Sequence, residues 1–209
     1  MNKAAALPSG YSSVAPGQIA NVVTCLEMLA RPDVRPAPPF PPELHLAALD
    51  RSDLAAYRAL FRAVGEPWLW SSRLVMPDEA LAEILNDPHV EILVLRQADR
   101  DAGILELDFR ETGICELAFF GLAAGFTGQR LGRTLMNVAI ERAWSQPIER
   151  FWVHTCTFDH PAAVDFYKRS GFTPFAFQVE IEPDPRLTGH LPEDAAPQIP
   201  LIRPKGLSD

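Results

Sequence analysis

Gly125, Phe126, Thr127, Gly128, Gln129, Arg130, Leu131, Gly132 and Arg133 link an apolar strand-like run to an amphipathic helix-like run. A turn of this kind collects free backbone amides and the positive end of a helix dipole at one place, and such a place binds phosphate. The glycines let the backbone approach an anion closely, and Thr127 and Thr134 add hydroxyl donors. Many α/β chains use the same turn only to change direction. Other groups with usable chemistry lie on either side of it. His154 and His160 bring imidazoles, the side chain whose ordinary pKa lies nearest neutrality, Glu106, Asp108 and Glu116 fall on strand-like runs, and Tyr167 carries a phenol, a group ordinarily protonated at neutral pH. Strand alternation groups Glu116 with Ala118 and Phe120 on one face, and Cys115 with Leu117 and Phe119 on the other. Glu106 and Asp108 share a face of the preceding strand.

The elements that must position these groups can be read from hydrophobic period. Residues 15–31 carry Ile19, Val22, Val23, Leu26 and Leu29 at helical spacing, which predicts an amphipathic helix. Six prolines between 32 and 42 predict an extended connector, because proline locks φ and lacks an amide donor. Residues 43–49 read as a strand, Asp50 as an N-cap, and Leu54, Tyr57, Leu60, Phe61 and Val64 as one face of a helix ending near Gly65. Residues 77–86 read as a short second helix. Three strands follow at 90–96, 103–109 and 114–122, separated by turn signals, and together they form an antiparallel meander. A helix over 130–144, a strand over 151–156, a helix over 161–169 and a strand over 172–182 complete the order. The tail beyond, with six further prolines, either wraps the surface or stays disordered. The predicted organisation is an N-terminal extension over 1–42, a catalytic domain over 43–182 and a proline-rich tail over 183–209.

With the elements in this order, the chain resembles the GNAT superfamily of acyltransferases. The turn from Thr127 to Gly132 occupies the register of that family's Gln/Arg-x-x-Gly-x-Gly/Ala signature. Its second signature, a helix ending in tyrosine and followed by glycine and phenylalanine, is matched by Pro161 through Tyr167 and then Gly171 and Phe172. The match is firm over about 103–176. Two residues depart from it: Thr127 stands for the usual Gln or Arg, and Arg130 for the first of the paired glycines. If Arg130 needs positive φ it is strained; if it opens the helix it is acceptable, and its helix propensity favours the second reading.

The resemblance implies an α/β (α+β) GNAT fold. Its central mixed, mostly antiparallel sheet is splayed between the fourth predicted strand (114–122) and the fifth (151–156), with helices on both faces. It also implies an acetyl-CoA cosubstrate whose arm lies in the splay and contacts Phe120, Gly121 and Leu122, with Gly121 marking the opening. The pyrophosphate would sit on Thr127, Gly128, Gln129, Arg130, Leu131, Gly132, Arg133 and Thr134, and His160 would contact the arm or the amine. Tyr167 is then the acid that protonates the departing thiolate. Glu116 is the expected base, with Glu106 and Asp108 as rivals. Trp68, Leu69, Trp70 and Arg73 fall where this fold shapes the acceptor pocket, either as a hydrophobic lid or as aromatic faces for a cation.

Composition narrows the partners. A net charge of −8 disfavours nucleic acid and anionic membrane and suits a cationic amine acceptor, a small molecule or a protein amino group. No apolar run is long enough to span a bilayer and no signal-peptide block opens the chain, so a cytoplasmic protein is expected. Cys25, Cys115 and Cys156 have no metal-ligand spacing, and no metal is expected. A homodimer is left open. Two other classes stand beside the enzyme: a CoA-binding regulatory module with little catalysis, suggested by Thr127 and Arg130, and an interaction protein using the N-terminal segment and proline-rich arms.

Overall fold

The chain forms the strands β1 (Gln18–Met28) and β2 (Leu44–Ala48) before its first helix, α1 (Leu54–Gly65). This is the computed structural model, and it describes residues 7–205. A 3-10 turn, Glu66–Trp68, leads to the short helices α2 (Ser72–Val75) and α3 (Asp78–Asn86). The meander follows as β3 (Val90–Gln97), β4 (Arg100–Asp108) and β5 (Ile114–Leu122), then α4 (Leu131–Trp144), β6 (Arg150–Cys156), α5 (Ala163–Arg169) and β7 (Thr173–Pro183).

One seven-stranded sheet holds all the strands in the order β2-β3-β4-β5-β6-β1-β7. Every neighbouring pair is antiparallel except β5 with β6. Helices α1 and α3 bury Tyr57, Phe61 and Leu81 with Ile92 and Ile104 on one face. On the other face α4 and α5 bury Leu135, Ala139 and Tyr167 with Leu105, Leu117 and Phe151. A helix needs a sheet face to cover its apolar stripe, and here each face has its own.

The helix predicted over 15–31 is instead β1, lying between β6 and β7. Its residues Ile19, Asn21, Val23 and Cys25 alternate inward, and a bulge between Cys25 and Leu26 then shifts the phase. That shift places the apolar residues at spacings that mimic a helical stripe. Asp50 is not the N-cap either. Asp53 caps α1 by accepting from the Ala56 amide at 2.8 Å, while Asp50 accepts from Ser52.

The two proline-rich segments are both packed. In the connector, the Pro38 carbonyl accepts from the Thr134 hydroxyl at 2.9 Å and the Arg35 carbonyl from Asn137 at 2.8 Å, so it runs along α4. The tail wraps the surface through a buried Arg186–Asp184 pair at 2.7 Å, whose guanidinium also bonds the Ile199 carbonyl. Leu191, Ala195 and Ala196 then pack on Ile19 and Leu69.

Candidate active site

Strands β5 and β6 are hydrogen-bonded only from Ile114↔Arg150 to Glu116↔Trp152. Beyond that point they separate, and the side of β5 facing β6 is unpaired from Leu117 onward. The cause is local. Leu107 pairs with Leu117 and Glu106 with Phe119, which leaves Ala118 as an extra residue, a β-bulge that bends the strand. The bulge also resets the alternation. Phe119 packs with Phe61 and Trp70 on the α1 face, whereas Phe120 stacks on Phe166 at 5.9 Å on the α5 face. The expected grouping of Glu116 with Phe120 is therefore broken. Gly121 does not mark the opening. It lies where α1 approaches the sheet, since a Cβ there would stand 2.5 Å from Val64 Cγ1.

A cavity of about 590 Å³ runs through the separation. Phe120, Gly121, Leu122, Phe166 and Tyr167 line it together with Trp68, Leu69, Trp70, Asn21, Glu180 and Glu182. The α1–α2 loop forms the second wall as expected, with Leu69 at φ 58 held in place by its apolar cluster. Arg73 takes no part in the wall. It is buried against Glu106 at 2.5 Å, and Glu106 also accepts from the Tyr57 hydroxyl at 2.6 Å. Both Glu106 oxygens are thus engaged, and the carboxylate is wholly buried and does not line the cavity. Asp108 is likewise held, bidentate, by Arg110.

Thr127, Gly128, Arg130, Gly132 and Arg133 line a second cavity of about 550 Å³, which shares Leu122, Thr127, Gly132 and Phe166 with the first. The amides of Gly128, Gln129, Arg130, Leu131 and Gly132 donate to no acceptor among the described residues. They form an anion cradle at the start of α4. Arg130 is the N-cap of α4 at φ 62, so it holds the left-handed conformation; the expected first-turn reading is corrected. Leu131 contributes its amide only, because its side chain is buried. Gln129 turns back to the Gly125 carbonyl at 3.2 Å, and Thr134 spends its hydroxyl on Pro38. Neither of these two side chains is free for a phosphate. Arg133 donates to Ser170 at 2.9 Å and lies over the Phe166 ring.

Arg35 is the residue that sequence reasoning missed. It comes from the connector and lines this second cavity with Pro36 and Pro38. Burial, then the like charges of Arg35 and Arg169, hold the Arg133 pKa below its ordinary value. A cluster of guanidinium groups thus surrounds the cradle. No local pattern announces that an arginine in a proline run returns to a turn some ninety residues on.

Tyr167 is 7% exposed, and its hydroxyl has no hydrogen-bond partner among the described residues. Burial, and secondarily Asp159, push its pKa well up, so it is a neutral donor at any ordinary pH. Glu116 stands behind His154, with Oε1 3.6 Å from His154 Nε2, a charge-pair distance rather than a hydrogen bond. Burial, then the neighbouring Asp108, push the Glu116 carboxyl up to about 7. His154 lines the cavity and burial lowers its pKa, which keeps the imidazole neutral. Its side chain is about half exposed. His160 accepts from the Ala162 amide through Nδ1 at 3.1 Å and meets the Trp68 ring at 5.5 Å, at the cavity's rim.

Among the described residues no helix is long and apolar enough to cross a membrane, and no cluster of His, Cys, Asp and Glu is arranged to hold a metal. No curated protein matches the chain in sequence. Among solved structures, a functionally unknown conserved protein from Staphylococcus epidermidis superposes with a TM-score of 0.54 at 15% identity, covering 80% of this chain and 64% of that one. A GCN5-related N-acetyltransferase from Sphaerobacter thermophilus gives 0.54 at 14% identity, covering 81% and 52%. Another from Kribbella flavida gives 0.52 at 19% identity, covering 83% and 63%. The chain thus spans between half and two thirds of the length of these three, and at such identities the likeness is one of fold. The model of the acetyltransferase (GNAT) family matches residues 55–172, more than half of the chain and the segment that holds the bulge, the amide cradle and the Tyr167 helix. The chain belongs to the GNAT acetyltransferase family.

Proposed function

We propose that the protein transfers an acetyl group from acetyl-CoA to a primary amine by direct attack within a ternary complex. The observation that carries this reading is the pair of contiguous cavities, meeting at Leu122, Thr127, Gly132 and Phe166, that lead from the amide cradle through the separated strands to Tyr167 and His154. The residues suit the cosubstrate. Free amides and Arg35, Arg130 and Arg133 suit its phosphates, and the unpaired edge of β5 offers backbone groups to its amide-bearing arm. When bound, acetyl-CoA supplies an activated acyl carbon and a thiolate leaving group.

In the balanced reaction the acceptor nitrogen loses two protons between ammonium and amide: the first leaves the ammonium and frees the lone pair that forms the N–C bond, and the second leaves the bonded nitrogen and restores the phenol that protonates the sulfur. The C–S bond breaks, and the sulfur takes a proton to leave as free thiol. His154, neutral at pH 7, accepts the ammonium proton. Glu116, with Oε1 3.6 Å from Nε2, lies close enough for its charge to stabilise the imidazolium that forms. Tyr167 donates to the departing sulfur. Glu116, expected as the base itself, thus acts through His154.

Measuring thiol release with acetyl-CoA and a panel of primary amines tests the reading. Turnover with an amine supports it. Tight CoA binding without turnover would leave a CoA-binding module in its place.

A further inference from the structure

The wall that the α1–α2 loop gives the cavity is braced from behind by the C-terminal tail. The described tail residues do not line the cavity themselves. They reach the loop through its outer side. Gln198 donates Nε2 to the Pro67 carbonyl at 2.8 Å, and Arg62 of α1 donates to the His190 carbonyl at 2.8 Å. Between these two bonds, Leu191, Ala195 and Ala196 form a buried cluster with Leu69, which is only 3% exposed.

Leu69 needs a brace of this kind. At φ 58 it holds the left-handed conformation, which crowds the Cβ of any residue but glycine and persists only where the surroundings over-determine it. Ala196, at φ 48, holds the same conformation in the same cluster. The backbone bonds within the loop are short-range, from the Leu69 amide to the Glu66 carbonyl and from the Trp70 amide to the Gly65 carbonyl. The tail is itself held firmly. The buried Arg186 guanidinium, paired with Asp184, donates to the carbonyls of Ala195 at 3.3 Å and Ile199 at 2.8 Å, the chain neighbours of Ala196 and Gln198. Leu69 stands between Trp68 and Trp70, so its placement governs how both rings meet the cavity they line. Trp70 has a further anchor in Asp159, whereas Pro67 and Leu69 have theirs in the tail.

The tail lies outside residues 55–172, the segment that the family model matches, so the family match does not carry this brace. Resting on the amine-acetylation reading, we propose that Gln198 and Leu191 are positioning residues for the acceptor: they act through Pro67 and Leu69 to set the Trp68–Trp70 wall against which the amine binds. The amide cradle, Tyr167 and His154 belong to the start of α4, to α5 and to β6. Loosening the brace therefore weakens acceptor binding and spares both cofactor binding and the chemical step.

Two measurements on the full chain test it. Gln198→Met removes the donor at an exposed position without adding charge, so folding is retained; Leu191→Ala is the second variant, with Leu191→Met as its volume-conserving control. Hydrogen–deuterium exchange read by mass spectrometry needs no substrate. Exchange in the peptide covering 66–71 should rise at least about threefold in Gln198→Met and in Leu191→Ala, while the α4 peptide keeps the parent rate. In thiol-release kinetics at saturating acetyl-CoA, the amine KM should rise about three- to tenfold in both variants, with kcat and the CoA Kd within a factor of two of the parent and Leu191→Met restoring the parent KM. Faster loop exchange in both variants, with no amine acetylated by the parent, would uphold the brace and sink the acetyltransferase reading. Unchanged exchange over 66–71 in Gln198→Met, a lowered Tm with the amine KM unmoved, or an amine KM that rises only together with the CoA Kd would overturn the proposal.

Discussion

The indole Nε1 of Trp70 donates to the Asp159 carboxylate at 3.0 Å, tying the α1–α2 loop to the turn that launches the Tyr167 helix. The other oxygen of Asp159 accepts from the Thr155 hydroxyl at 2.6 Å and the Cys156 amide at 2.9 Å. One carboxylate therefore fixes both walls of the cavity. Asp159→Ala leaves three donors without partners and is expected to cost about 2–4 kcal/mol of stability, read by urea denaturation. A loss below the scatter of the measurement would show that the walls are held by other contacts.

Tyr167→Phe removes only the hydroxyl, leaving the ring in its contacts with Phe120, Phe166 and Phe172. The turnover rate should fall about 10²-fold while CoA affinity stays within a factor of two. Unchanged turnover would remove Tyr167 from the acid role.

Glu116→Gln should show in stability as well as in rate. The carboxyl titrates near 7 in the folded chain against an ordinary 4.5, so the folded state holds a proton that the unfolded state has released. Stability therefore falls as pH rises from about 4.5 to about 7, and the loss persists above that. The variant should match the parent at pH 4 and exceed it by about 1–3 kcal/mol at pH 8 in urea melts. Parallel stability curves for the two would contradict the buried-carboxyl account.

Much of this fold is legible in the residues alone, and the parts that are not share a cause. The meander, α4, β6 and α5 all have partners close in the chain and an unbroken hydrophobic period. β1 has neither. Its partners Thr155 and Gln178 lie more than a hundred residues away, and the Cys25/Leu26 bulge corrupts its alternation. The Tyr167 helix and the amide turn could be found from the spacing of glycine, tyrosine and proline. Arg35, the His154–Glu116 pairing and the Asn21–Glu180 contact arise only when distant strands meet. Propensity also misled at Arg130, where a good helix former stands one residue before the helix, at φ 62.

Arg130→Gly tests that strain directly. Glycine adopts positive φ at little cost, so the substitution should stabilise the chain by about 1 kcal/mol, a rise of roughly 2–4 °C in Tm. A lower Tm would mean that the arginine's contacts outweigh its backbone strain.

Arg35→Ala should weaken CoA binding roughly three- to tenfold, less at high salt, with the turnover rate at saturation unchanged. An unchanged affinity would exclude the connector from the cofactor site.

The central claim is acetyl transfer to an amine, and its most direct measurement is a mass spectrum of the acceptor after incubation with acetyl-CoA and the full chain. The account predicts that the amine gains an acetyl group with one equivalent of free thiol released, and that both signals collapse in Tyr167→Phe. Tight CoA binding with every amine recovered unmodified and no thiol released would contradict it.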